Sequence, residues 1–272
     1  MLQFDHLVHV VRCSPAEAID QMKLHGFHVV LGGEHTNWGT HNSLCYFDLA
    51  YIEFLAVQNQ KVANRAENPL IQQVVHKLQT GEGMLQIALR TEHMEELAKR
   101  LVEKGFRING PLEGKRMRDD GTLLRWKMLF IEQEEGGPRF PFFIEWSESD
   151  EKRRDDLQRK GVISPHNNNI IEMKTVFYTI TNVNETSKHW EELLQIEMSS
   201  PTINKEWNAV VQGFSLGKIT IQFCEPIGNG IVRDQLKNHG EFPFAVEFEG
   251  KEDNMSICHI RNGMYLFTKE LC

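Results

Sequence analysis

Four polar side chains interrupt strand-like apolar stretches of this 272-residue chain, and their types suit one chemistry: His6, Glu53, Gln86 and Glu145. Side-chain alternation puts His6 on a face with Phe4, Val8 and Val10, Glu53 with Tyr51 and Leu55, Gln86 with Met84 and Ala88, and Glu145 with Phe143. A buried carboxylate without a partner is costly, so each acid should be protonated, hydrogen-bonded or bound to a cation. Two carboxylates, an imidazole and a carboxamide oxygen on one cavity suit Zn²⁺, Mn²⁺, Fe²⁺ or Ni²⁺, with water completing the shell. Such an ion polarises bound water or a substrate oxygen and eases proton transfer. Plainer readings stand beside this one: acids paired with Arg125 or a histidine, His6 bonded to backbone, Gln86 a satisfied core amide.

Further groups could complete a catalytic set. His41 follows Trp38-Gly39-Thr40 in a loop-like stretch and could serve as general base at a cavity mouth, with Glu145 as a second acid–base group. The alternative for His41 is a turn held by Thr40 and Asn42. Arg116, Arg118 and Arg125 straddle the turn Asp119-Asp120-Gly121-Thr122, and could offer a carboxylate or phosphate a bidentate donor pair against a Trp126 wall. Surface arginines and a packed tryptophan are the competing expectation. The string Gly213-Phe214-Ser215-Leu216-Gly217 has the spelling of a nucleophile elbow, but it falls at a strand–strand turn and carries no chemistry.

The elements that must position these groups come in two similar passes. Strand pattern from Asp5, a capping box Ser14-Pro15-Ala16-Glu17, a helix to about His25 and a Gly26-Phe27 stop precede strands at 43–48 and 51–57. The second pass has a strand at 84–90, a helix over 92–104, the step Gly105-Phe106, and strands at 123–132 and 140–146. A connecting helix over 68–78 separates them. The charged run 148–160 and the polar stretch after it read as a solvated helix plus loop, the expected domain boundary. The pattern then restarts at Ile170, with Gln222 standing where Glu53 stands, and a shortened fourth unit ends the chain.

A net charge of −8 argues against general affinity for nucleic acid. No apolar stretch approaches the ~18 residues of a bilayer span, and the N-terminus has no leader pattern. Five cysteines (Cys13, Cys45, Cys224, Cys258, Cys272), odd in number and without a Cys-x-x-Cys pair, fit a reducing cytoplasm.

The chain resembles the vicinal oxygen chelate superfamily of glyoxalase, bleomycin-resistance and extradiol dioxygenase proteins, in particular its glyoxalase-like group. The resemblance rests on Phe4-Asp5-His6-Leu7-Val8, Gly39-Thr40-His41-Asn42, Tyr51-Ile52-Glu53-Phe54-Leu55, Arg116-x-Arg118-x-Asp120-Gly121, Leu124-Arg125-Trp126 and Pro141-Phe142-Phe143-Ile144-Glu145-Trp146. It implies an α+β fold of paired βαβββ modules whose curled mixed sheets surround a cavity. Residues 1–148 would form the glyoxalase-like domain, 149–168 a linker, and 169–272 a second, degenerate one. It also implies metal ligands on the first and last strands of both modules, at His6, Glu53, Gln86 and Glu145. The expected activity is that of a metal-dependent lyase, isomerase or hydrolase for a small carbonyl or carboxylate compound. The alternative is a metal-free protein that binds or sequesters a small molecule. Both module pairs lie in one chain, so the site needs no subunit exchange and a homodimer stays open.

Overall fold

The computed structural model describes residues 2–117, 121–132, 139–250 and 256–269. Strand β1 (Gln3–Val10) leads to helix α1 (Pro15–Leu24), which starts where Ser14 Oγ accepts from Glu17 N at 3.3 Å and Pro15 occupies the first turn. Strands β2 (Val30–His35), β3 (Thr40–Phe47) and β4 (Ala50–Val57) close the first βαβββ module. Helices α2 (Gln60–Ala63) and α3 (Pro69–Thr80) cross to the second, Asn68 Oδ1 capping α3 through Leu70 N at 2.9 Å. That module comprises β5 (Gly83–Arg90), α4 (Met94–Glu103), β6 (Ile108–Met117), β7 (Leu123–Ile131) and β8 (Phe142–Trp146).

Helix α5 (Asp150–Arg159) follows, then a second half of β9 (Ile170–Thr179), α6 (Val183–Leu194), β10 (Thr202–Asn204), β11 (Ala209–Leu216), β12 (Ile219–Pro226), α7 (Ile231–His239), β13 (Pro243–Gly250), β14 (Ser256–Ile260) and β15 (Gly263–Lys269). Among the described residues the fourth unit consists of β13, β14 and β15, in keeping with its shortened sequence.

The first sheet runs β2-β3-β4-β1-β5-β8-β7-β6, so the two modules mirror each other across the antiparallel β1–β5 pair. Its edges curl toward each other: a Cβ on Gly33 of β2 would lie 3.1 Å from Arg116 Cδ and 3.4 Å from the Met117 carbonyl on β6. The second sheet runs β10-β11-β12-β9-β13-β15-β14. Helix-bearing faces of both sheets merge in one core, where Leu7, Phe54 and Met22 join Val176, Phe248 and Tyr265. The opposite face of the second sheet is filled, with Phe177 and Trp207 rings 4.8 Å apart and Val232 of α7 packed beside them. That of the first sheet stays open. Among the described residues no helix is long and apolar enough to cross a membrane.

Candidate functional site

The open face of the first sheet forms a cleft of about 830 Å³ of atom-free space, mouth included, walled by Trp38, Tyr51, Trp126, Phe142 and Trp146. Its polar groups are few. His6 of β1 and Glu53 of β4 face one another across the cleft floor, His6 Nε2 lying 3.6 Å from Glu53 Oε2. That separation is too long for a direct hydrogen bond but suits a ligand atom shared by both. His6 stacks on Tyr51 with centroids 4.6 Å apart.

Behind this pair the residues are tightly held. Asn42 Nδ2 donates to Glu53 Oε1 at 2.5 Å, and Arg116 Nη1 donates to Asn42 Oδ1 at 2.9 Å, forming a buried chain from guanidinium to carboxylate. Among the described residues Arg116 Nε is buried there without a partner. On the other side, His6 Nδ1 is 2.7 Å from Asp5 Oδ1. Asp5 Oδ2 accepts from Trp146 Nε1 at 3.0 Å and lies 3.7 Å from Arg153 Nη1. Burial alone would raise the Asp5 pKa, but the His6 hydrogen bond and the Arg153 charge overcome it and hold the carboxyl below its ordinary range. An ionised Asp5 accepts the Nδ1 proton, so Nε2 is the imidazole atom presented to the cleft.

Asp5 reaches its neighbour because β1 is bulged. Phe4 pairs with Leu89 and His6 with Ala88, leaving Asp5 as the extra residue between them. Strict alternation would have sent Asp5 and His6 to opposite faces. Arg153 comes from α5, inside the stretch read as a linker. Leu157 of the same helix packs on Leu44, Tyr46 and Tyr51, and Arg90 Nε grips Asp150 Oδ2 at 2.8 Å.

Of the residues singled out from the sequence, His6, Glu53, Arg116, Arg125 and Trp126 line the cleft. Arg125 is exposed at its rim, and Trp126 lies flat enough on Gly114 that a Cβ there would meet its Nε1 at 2.2 Å. Arg118 lies outside the described residues. His41 points away: Thr40, Asn42, Leu44 and Tyr46 face inward along β3, and His41 takes the alternate side. His35 lines the cleft instead, its Nδ1 3.1 Å from Thr40 Oγ1.

Glu145 and Gln86 are not brought to the pair. On β8 it is Phe142, Ile144 and Trp146 that face the cleft, while Glu145 turns to the helix side. There its Oε1 accepts from Met94 N at 3.3 Å and its Oε2 lies 3.9 Å from Lys127 Nζ. An acid at the first turn of α4 complements the helix dipole, by about 0.3–1 kcal/mol. Gln86 Nε2 donates to the Phe140 carbonyl at 2.6 Å, and its Oε1 is buried without a partner among the described residues.

The register explains the mismatch. His6 pairs with Tyr51 and Val8 with Glu53 in the first module; Ala88 pairs with Phe142 and Arg90 with Ile144 in the second. On the second module's side, Ala88 of β5 and Ile144 of β8 face the cleft, both apolar. Two donors against an aliphatic wall do not fit a divalent cation that asks for four, and no cluster of three His, Cys, Asp or Glu side chains forms among the described residues.

The glyoxalase-like domain model matches residues 4–194, and the chain belongs to that family. A hypothetical protein from Staphylococcus aureus is similar over 99% of this chain and 100% of that one, at 21% identity and a TM-score of 0.79. A variant of 4-hydroxymandelate synthase from Streptomyces coelicolor is similar over 92% of this chain and 71% of that one, at 10% identity and a TM-score of 0.60. At these identities the likeness is one of fold. No curated protein matches the sequence.

Proposed function

We propose that the N-terminal cleft binds a small carbonyl or carboxylate compound and moves a proton on it, as an isomerase or lyase that needs no metal. The observation that carries this reading is Glu53, a buried carboxylate whose one oxygen is fixed by Asn42 while the other faces His6 Nε2. Glu53 Oε2 would take a proton from carbon beside the carbonyl. The C–H electron pair moves into the carbonyl, and the oxyanion so formed is stabilised by the Arg116 guanidinium. Return of the proton to the same or a neighbouring carbon completes an isomerisation, and departure of a β-substituent completes an elimination. Arg125 at the rim would hold a carboxylate, and the tryptophan walls would exclude water.

The test is deuterium incorporation, followed by proton NMR, when the protein is incubated in D₂O with a panel of small oxo acids and aldehydes. Exchange that persists after exhaustive chelation is the expected result. Exchange lost on chelation and restored by a metal would sink the metal-free claim. Saturable binding with no exchange would favour the sequestering reading, for which the aromatic walls are the supporting feature.

The Arg116–Asn42–Glu53 chain depends on a missing side chain. A Cβ on Gly32 would stand 1.9 Å from Asn42 Oδ1 and 2.7 Å from Arg116 Nη1. Gly32→Ala should leave far-UV circular dichroism unchanged, because the obstructed atoms are side-chain termini. Calorimetry should find affinity for the exchanging compound lowered by roughly tenfold, as for loss of a hydrogen bond to a charged group.

A further inference from the structure

A second cleft separates the two halves, enclosing about 1440 Å³ of atom-free space with its open mouth. Helix α3 and strands β6 and β7 form one wall, and the segment from Asn238, in the last turn of α7, to Phe242 forms the other. Two cations meet there on one ring: Lys77 Nζ lies 4.5 Å and Arg139 Cζ 4.6 Å from the centroid of Phe242. Lys77 is only 6% exposed, yet its ammonium has no hydrogen-bonding or ion-pair partner among the described residues. Burial, followed by the Arg139 charge, pushes its pKa down, and Arg139 is itself lowered by burial.

The acids on the walls are engaged elsewhere. Glu241 Oε1 accepts from Thr181 N at 2.7 Å and from its hydroxyl, and Glu132 Oε2 lies 3.8 Å from Arg107 Nε. An aromatic face attracts a cation but satisfies none of the three ammonium donors. Two like charges brought together in a half-buried cleft, with no carboxylate bonded to either among the described residues and only the charge of Glu241 acting on Arg139, leave an electrostatic vacancy of the kind an anion fills. Asn109 and Asn238 on the same walls add neutral amides for the remainder of a polar ligand.

From the juxtaposition of Lys77, Arg139 and Phe242 between the halves, we infer that this cleft is a binding site for the oxyanion of a small molecule, a carboxylate or a phosphate. It is separate from the cleft of His6 and Glu53 and does not depend on the reaction proposed there. A ligand here touches α3 and the segment after α7 together, so it would tie the two halves to each other.

Calorimetric titration of the full chain at constant ionic strength, with inorganic phosphate in one arm and acetate in the other, tests the site. Saturable binding of either anion is expected, the tighter one naming the ligand's acidic group. Lys77→Met, a helix-compatible change that removes a buried charge, should weaken that binding at least about tenfold, and Arg139→Gln should do likewise. Lys205→Met, an exposed change outside both clefts, should leave it unchanged. Absence of saturable binding in the wild-type chain overturns the inference. So does anion binding that survives Lys77→Met and Arg139→Gln but is lost in Arg125→Met, because the anion then sits in the N-terminal cleft. Circular dichroism confirms that each variant is folded.

Discussion

Glu53→Gln is expected to slow deuterium exchange on the bound carbonyl compound by about 10²–10⁴-fold, the usual contribution of a positioned general base. The substitution is isosteric. A glutamine oxygen can still accept from Asn42 Nδ2, so the Arg116–Asn42 link and the cleft shape should persist. Ligand affinity should therefore change much less than turnover, the signature of a group used in the transition state. Glu145→Gln is the matched control. Its carboxylate caps α4 on the other side of the sheet, so exchange should be unaffected and stability should fall by no more than about 1 kcal/mol. Equal loss in both variants would return the four-residue centre suggested by the sequence, and normal exchange in Glu53→Gln would remove the proposed base.

That pairing of variants also shows which parts of the molecule were legible in the residues. Caps marked the helices well: Ser14 accepts a backbone hydrogen bond at the N-terminus it was expected to cap, and Asn68 and Asn182 do the same for α3 and α6. Duplication was legible too, and the mirrored strand order confirms the paired modules. Which face of a strand turns inward was not. On β8 both faces are buried, Phe143 under the helices and Phe142 under the cleft, so an acid in that strand reads the same on either side. Glu145 at a helix terminus and Glu53 at a cleft floor satisfy one rule, that a buried acid has partners, by different means.

His41 and His35 were exchanged for the same reason, since neither strand's inward parity is written in its own apolar pattern. Asp5 was invisible because a bulge, which no local residue announces, rotates it onto the His6 side. Arg153 was hidden by its setting. A run as charged as 148–160 looks solvated, and only the tertiary fold shows Arg153 and Leu157 turned inward over the cleft. That Ala88 and Ile144, and not Glu145, face the cleft is set by how β5 and β8 pair, which composition does not record.

Acid should dismantle the whole assembly in a narrow window, because three buried histidines are built to be neutral. Burial is the first cause in each case, lowering His9 and His166 to about 4 and His35 to about 3, with the Arg116 charge adding to the last. Geometry agrees. His166 Nδ1 accepts from His28 N at 2.9 Å while Nε2 faces the Tyr46 carbonyl at 3.0 Å, so a second ring proton would point at an amide hydrogen. His9 on β1 faces the Arg261 carbonyl through Nε2 and the Tyr265 hydroxyl through Nδ1, both at 2.9 Å, linking the two halves.

For groups lowered in the folded state the unfolded chain takes the proton first. The stabilisation is thus complete above the unfolded value of 6.5 and is lost as pH falls toward the folded values. Each histidine contributes a slope of about 1.4 kcal/mol per pH unit across that window, or about 4 kcal/mol per unit for three. Against a total of about 5–15 kcal/mol for an ordinary fold, unfolding by pH 4–5 is expected. Asp5 adds a loss only at lower pH, where its carboxyl protonates. Urea denaturation at pH 7, 6 and 5 measures the slope directly, and stability that stays level across that range would contradict it. Replacing His9 by glutamine should flatten the slope by one proton. Because His9 joins β1 to the turn before β15, both halves should unfold in the same transition, the N-terminal cleft being lost together with the junction that shapes the second one.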